Sequence, residues 1–191
     1  MQGRAVSGRA ESGGRRSDWV ANRNAILEGA RELLSLQPDA SMAQLAEAGG
    51  VHRGTLYRHF ERREDLLLAI GVAHLEELTD VATSWPTTSP RDDADLAAMA
   101  DQLIEVSFRW KVARYLPVYP VGSEQEFSTL RAACAEMLGR GQQRPGLLRG
   151  DMTSEDLARA WLTPLAFASD PTTDPATTRR FMLAAVRPAA P

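Results

Sequence analysis

The chain has 191 residues, of which 43% are hydrophobic and 25% are charged, and this composition is typical of a globular protein with one large or two small domains. The single cysteine, Cys134, excludes an internal disulfide framework and fits a reducing cytoplasm, and no apolar run approaches the roughly 18 residues of a membrane span. We therefore expect a cytoplasmic protein without a membrane partner.

The net charge of −3 is unevenly divided along the chain. Residues 1–64 contain 10 arginines and 8 acidic residues, whereas residues 65–191 contain 12 Lys and Arg and 17 acidic residues. A basic front and an acidic rear favour an anionic partner that binds the front part of the chain only.

The first 17 residues are rich in Gly, Ser and Arg and contain few apolar side chains. Such a segment cannot bury enough apolar surface to order itself, so we predict a disordered tail. Helical spacing of apolar residues then begins near residue 18 and continues to about residue 36, which predicts the first helix.

Two short helices separated by a glycine turn are predicted next. An S-x-x-Q capping box at Ser41 starts a helix over residues 42–48, and Gly49 and Gly50 end it because glycine accepts a left-handed backbone. The second short helix spans residues 52–59. A longer helix followed by short helix, turn and short helix is the outline of a helix-turn-helix DNA-binding domain.

The second short helix is rich in side chains that can hydrogen-bond to base edges and phosphates, on a scaffold anchored by Val51, Leu56 and Phe60. Ser41 can offer a hydroxyl and a backbone N–H to a phosphate at the start of the preceding helix. The candidate DNA contacts from this pattern are Ser41, His52, Arg53, Thr55, Tyr57, Arg58 and His59.

The rest of the chain predicts helices only, with no strand and no internal repeat. One helix is expected over residues 63–83, and Pro117 and Pro120 end a short helical piece later in the chain. The other expected helices carry Leu96, Met99, Leu103, Val106 and Trp110; Phe127, Leu130, Cys134 and Leu138; Leu157, Trp161 and Leu165 with a kink at Pro164; and a last segment at about 175–187.

Residues 22–70 resemble the TetR family of bacterial transcription regulators. The specific part is "AGGVHRGTLYRHF", in which Gly50, Val51, Gly54, Thr55, Leu56, Tyr57 and Phe60 stand at the positions of the family pattern. The resemblance implies that Tyr57 and Arg63 hold phosphates, whereas His52, Arg53 and Thr55 face bases. It also implies a weaker start of the recognition helix, because His52 replaces the serine that often caps it.

The resemblance implies an all-α homodimer with a tail at 1–17, a three-helix helix-turn-helix DNA-binding domain at 18–62 and a helical ligand-binding and dimerisation domain at 63–191. Each protomer would bind half of a palindromic operator in double-stranded DNA. An unidentified small-molecule effector would bind the C-terminal domain and release the DNA. Arg4, Arg9, Arg15 and Arg16 of the tail either solubilise the chain or form a minor-groove arm.

Two sets of C-terminal residues are candidates for the effector pocket and the dimer interface, although each residue also fits the core. The pocket candidates are His74, Met99, Leu103, Phe108, Trp110, Phe127, Cys134 and Trp161. The interface candidates are Leu157, Trp161, Leu165 and Phe181. Sequence alone does not assign Trp161 to one of these roles.

The predicted function is a ligand-responsive transcriptional regulator that acts as a repressor. The alternative is a DNA-binding regulator without a small-molecule ligand, controlled by a protein partner or acting as an activator. An enzyme is not expected, because the chain has no P-loop and no Rossmann fingerprint. No cofactor or metal is expected either, since two of only three histidines lie in the recognition segment.

Overall fold

The structure is a computed structural model that describes residues 8–110, 123–168 and 172–188, with side chains described from residue 17 onward. Those ranges contain helices and no strand, which confirms the predicted all-α class, and none of their helices is long and apolar enough to cross a membrane. The chain divides into two compact units between residues 67 and 68, whereas the predicted boundary lay between residues 62 and 63. The predicted short piece before Pro117 and Pro120 lies outside the described residues.

The N-terminal unit contains α1 (Gly8–Leu36), α2 (Met42–Ala48), α3 (Arg53–His59) and the first turn of α4 (Arg63–Ser84). The capping box at α2 is confirmed: Gln44 N donates to Ser41 Oγ over 3.4 Å, and Ser41 N donates to Gln44 Oε1 over 2.9 Å. The apolar residues that fill the core of this unit are Ile26, Leu27, Ala30, Leu34, Ala40, Leu45, Ala46, Leu56, Phe60 and Leu66.

α1 begins at Gly8, ahead of the predicted start near residue 18. Residues 8–17 were expected to belong to a disordered tail, but they continue the helix. Extending an existing helix costs far less than nucleating a new one, so a segment of poor propensity can be helical when a stable helix follows it. Residues 1–7 of the predicted tail lie outside the described residues.

The two glycines after α2 have different roles. Gly50 adopts φ +64°, the left-handed conformation predicted for the turn. Gly49 has φ −80° and is needed for space instead, because a Cβ there would lie 2.8 Å from the Cα of Ile26. Gly29 mirrors it, since its Cβ would lie 2.2 Å from the carbonyl oxygen of Ala48. α1 and α2 therefore cross in backbone contact.

The C-terminal unit contains most of α4, followed by α5 (Asp93–Arg109), α6 (Glu124–Gln142), α7 (Ser154–Leu162), a 3-10 helix (Thr163–Phe167) and α8 (Pro175–Val186). α6 packs against α7, and α8 packs against both α5 and α7. Side chains of Asp92, Thr153 and Asp174 cap α5, α7 and α8. Pro164 does not kink a continuous helix as predicted; α7 ends at Leu162 and the 3-10 helix takes over, because proline lacks the N–H that an α-helix needs.

Candidate nucleic-acid interface

α3 presents an exposed face that is centred on Gly54 and Arg58. At about 100° per residue these two positions lie nearly opposite Leu56, which is fully buried and anchors the helix. Arg53 and Tyr57 are one turn apart on one flank, and both are exposed. α3 thus has one buried apolar residue and a broad polar surface.

The exposed arginines of α3 are free to bind an external anion. The Arg53 guanidinium carbon lies 5.3 Å from the centroid of the Tyr57 ring, a cation–π arrangement that holds both side chains above the helix surface. Among the described residues, neither Arg53 nor Arg58 forms an ion pair. His52 is exposed at the N-cap and its side chain makes no capping hydrogen bond, as expected for a histidine in place of serine. Thr55 is half-buried on the other flank.

Gly54, which the sequence marks only as part of the family pattern, lies at the centre of this exposed face. A Cβ at this position would meet no atom within 4 Å, so internal packing does not require glycine there. Glycine inside a helix costs up to about 1 kcal/mol relative to alanine. A bare backbone at the centre of the exposed face therefore points to close approach by a partner.

His59 does not belong to the exposed face. Its ring centroid lies 4.6 Å from that of Trp19 on α1 and 6.2 Å from that of Phe60, and its Nδ1 is buried. Burial and the nearby Arg23 guanidinium lower the pKa of His59. The spacing of residues along α3 could not reveal the burial of His59, because the Trp19 ring that covers it lies 40 positions earlier in the chain.

Two further candidate contacts are engaged within the N-terminal unit. Arg63 donates through Nη2 to the carbonyl of Pro38 at 2.6 Å and through Nη1 to the carbonyl of Ala40. Both terminal nitrogens of this guanidinium are thus committed to the α1–α2 loop rather than directed at a phosphate. The Ser41 hydroxyl lies 2.9 Å from Gln44 Oε1, so a phosphate would have to displace the capping box before it could use Ser41.

The candidate pocket residues lie mostly in the core of the C-terminal unit. Met99, Leu103, Trp110, Cys134 and Trp161 are buried, whereas Phe108 and Phe127 are partly exposed. His74 keeps some exposed surface, but its imidazole Nε2 is buried. Burial raises the pKa of the Cys134 thiol to about 12, so this thiol is not a nucleophile.

His74 is the candidate pocket residue that lies on α4. Its ring stacks on Trp110, with centroids 5.5 Å apart, and the Trp110 indole donates to Glu77 Oε2 at 2.5 Å. Burial lowers the pKa of His74 to about 4, so the imidazole is neutral at pH 7. The buried polar atoms of this unit without a hydrogen-bond partner among the described residues include His74 Nε2, Ser107 Oγ and Trp161 Nε1.

The structure changes the candidate dimer interface. Leu157, Trp161 and Leu165 are buried within the protomer. Leu157 and Trp161 belong to α7, which packs on α6 and α8, and Leu165 belongs to the 3-10 helix, which packs on α8. Phe181 is 56% exposed and lines an open apolar cavity of about 700 Å³ together with the exposed Phe167. The other residues that line this cavity include Ala160, Pro164, Ala184 and Ala185.

Comparisons with known proteins agree with this architecture. The family described as bacterial regulatory proteins, tetR family, matches residues 26–70. The HTH-type transcriptional repressor LfrR of Mycolicibacterium smegmatis is 36% identical over 83 residues, which is 42% of this chain and 43% of the repressor, so that match spans less than half of LfrR. The HTH-type transcriptional repressor Rv1474c of Mycobacterium tuberculosis is 29% identical over 148 residues, 75% of this chain and 77% of the repressor.

A solved structure extends the similarity to most of the fold. The TetR-like regulator LfrR from Mycobacterium smegmatis, crystallised in complex with proflavine, superimposes with a TM-score of 0.62 at 19% identity, covering 86% of this chain and 95% of LfrR. At this level of identity the superposition establishes the fold. The two curated relatives are transcriptional repressors rather than enzymes, in agreement with the absence of enzymatic activity expected from the sequence.

Proposed function

Because the chain belongs to the TetR family of bacterial regulatory proteins, we propose that it is a transcriptional repressor that binds double-stranded DNA through α2 and α3. The observation that carries this proposal is the exposed face of α3, where two arginines lack an acidic partner among the described residues. An unpaired guanidinium is the best side chain for reading guanine, because its fork matches O6 and N7.

The exposure of each side chain suggests its role. His52 and Arg53 stand at the N-terminal end of α3, the part of a recognition helix that contacts base edges in the major groove. Tyr57 is exposed one turn further along the same flank and would hold a phosphate. Arg58 is exposed one turn beyond Gly54 and would hold a phosphate. Ser41 and Arg63 stabilise the unit that carries these groups, and His59 fixes the end of α3 against α1.

The test starts from DNA selected from genomic fragments by the purified protein, followed by footprinting across a salt series. A single palindromic footprint is expected. Arg53→Gln should weaken binding to this fragment by about 1–3 kcal/mol and relax one base position. Arg159→Gln is the matched control, because Arg159 is an exposed arginine on α7 of the C-terminal unit and its loss should leave affinity unchanged.

Two results would contradict the proposal. Uniform weak binding to all fragments with a steep salt slope would mean that only the phosphate charge is recognised. Equal losses from Arg53→Gln and Arg159→Gln would mean that α3 does not read the bases.

We also propose that the repressor is a homodimer, joined through the apolar surface around Phe167 and Phe181. A contiguous exposed apolar patch on a soluble domain marks an interaction site. Phe181→Glu should convert dimer to monomer in analytical ultracentrifugation. Leu36→Glu changes an even more exposed apolar residue, 85% exposed in the N-terminal unit, and should leave the dimer intact. A Phe181→Glu protein that sediments as a dimer would exclude this interface.

A small-molecule effector is proposed for the C-terminal unit. Each buried polar atom without a partner costs about 1–3 kcal/mol, and an effector with hydrogen-bonding groups could recover part of this by pairing with His74, Ser107 or Trp161. Proflavine, the ligand in the LfrR complex, is the first probe. Calorimetric titration should give saturable binding that His74→Phe weakens. Binding of equal strength in both proteins would remove His74 from the effector site.

A further inference from the structure

The first half of α1 carries an exposed apolar pair beside the DNA-binding helices. Trp19 is 50% exposed and its neighbour Val20 is 47% exposed. The other three tryptophans, Trp85, Trp110 and Trp161, are all buried. A tryptophan that is half exposed gives up about half of the stabilisation that burial of its large apolar surface offers, so its position calls for a partner.

Trp19 of α1 packs against the C-terminal end of α3. Its ring centroid lies 4.6 Å from that of His59, the last residue of α3, with the planes tilted by 41°. One turn further along α1, the Arg23 guanidinium lies over the ring of Phe60 at 5.8 Å from its centroid. An indole beside the end of α3 and a cation one turn away form a single edge of the surface that α3 presents.

The chemistry of this edge fits the sugar–phosphate backbone of DNA. The indole offers an N–H donor and a flat apolar face, which suit a phosphate oxygen and a deoxyribose ring respectively. Arg23 and the exposed Arg58 add positive charge that favours a polyanion over a second copy of this acidic chain. His59 is positioned by Trp19 and needs no DNA contact of its own.

We propose that Trp19 contacts DNA, with its indole against the sugar–phosphate backbone beside the bases that α3 reads and its N–H donating to a phosphate. This inference rests on the proposed DNA-binding function. It adds α1 to the DNA-contacting elements and gives a role to a residue that the sequence pattern left aside.

The experiment uses acrylamide quenching of tryptophan fluorescence in the full-length protein, excited at a wavelength where DNA does not absorb. Because the other three indoles are buried, Trp19 supplies the quenchable fluorescence. Saturation with the selected DNA should remove most of this quenchable fraction. Trp19→Phe identifies the signal by abolishing it, and it should lower DNA affinity about tenfold, the loss for one hydrogen bond to a charged group. The melting temperatures of the parent protein and of Trp19→Phe should agree.

DNA binding is followed separately by the anisotropy of labelled DNA, so the two proposals can fail independently. Intact anisotropy binding with Trp19 still fully quenchable would overturn the Trp19 contact and leave the repressor function standing. Loss of quenching on concentrating the protein without DNA would assign Trp19 to contacts between copies, which also overturns it. Absence of any DNA binding would overturn both.

Discussion

Acid should destabilise the C-terminal unit through one histidine. The pKa of His74 is about 4 in the folded protein because burial disfavours the charged imidazole, against 6.5 for a free histidine. The unfolded chain therefore takes up a proton below pH 6.5 that the folded chain refuses until about pH 4. At about 1.4 kcal/mol per pKa unit, stability should fall by about 3 kcal/mol between these limits and lose nothing further from this group at lower pH.

The assay is urea denaturation at several pH values between 7 and 4, followed by tryptophan fluorescence in a Trp19→Phe background. In that background the reporting indoles all lie in the C-terminal unit. His74→Phe keeps a ring against Trp110 but cannot titrate, so its stability should be nearly flat in this window. The carboxyl pKa values of Asp151 and Asp174 are lowered, so protonation of these carboxylates reduces the stability of the protein only below about pH 4. Parallel pH curves for the parent and His74→Phe would refute the reasoning.

Two further substitutions separate structural from DNA-contacting roles in the N-terminal unit. Gly54→Ala should raise the free energy of unfolding by up to about 1 kcal/mol, because the new methyl group meets open space and alanine favours helix. The same substitution should weaken DNA binding, because the methyl group would stand between α3 and the groove. Unchanged affinity by anisotropy would show that DNA does not approach Gly54. Arg63→Gln should lower the free energy of unfolding by about 1–3 kcal/mol, because it leaves two carbonyls of the α1–α2 loop without their hydrogen bonds. Arg62→Gln is the control: it removes an exposed ion pair and should lower stability by less than about 1 kcal/mol. Equal losses of stability in thermal unfolding would refute the structural role of Arg63.

The sequence predicts α2 well because its signals are local. Ser41, Gln44 and Gly50 all act within a few residues of the helix that they begin or end. The roles of Arg63 and His59 depend instead on partners 25 and 40 positions away, which no short-range pattern encodes. The residue pattern of α3 suggested a DNA contact for His59 and the family resemblance suggested one for Arg63, whereas the fold uses both side chains in contacts within the N-terminal unit.

Apolar spacing also fails to tell an internal core from a surface between copies. Leu157, Trp161 and Leu165 have the same helical repeat whether they face α6 or another protomer. Only the arrangement of α6, α7 and α8 decides that these side chains are interior and that Phe181 remains outside. The start of α1 was missed for a related reason, because propensity describes isolated segments and not the continuation of a stable helix.

The backbone contact between α1 and α2 affects how mutational data on this protein should be interpreted. Gly29 and Gly49 occupy positions where any other residue adds a Cβ at 2.2 Å or 2.8 Å from the neighbouring main chain. A saturation screen scored by repression would therefore report both positions as intolerant of every substitution, as it would a base-reading arginine. Neither glycine has a side chain to offer DNA. Protein abundance measured alongside repression would distinguish them, because loss of packing removes the folded protein whereas loss of a DNA contact leaves it in the cell.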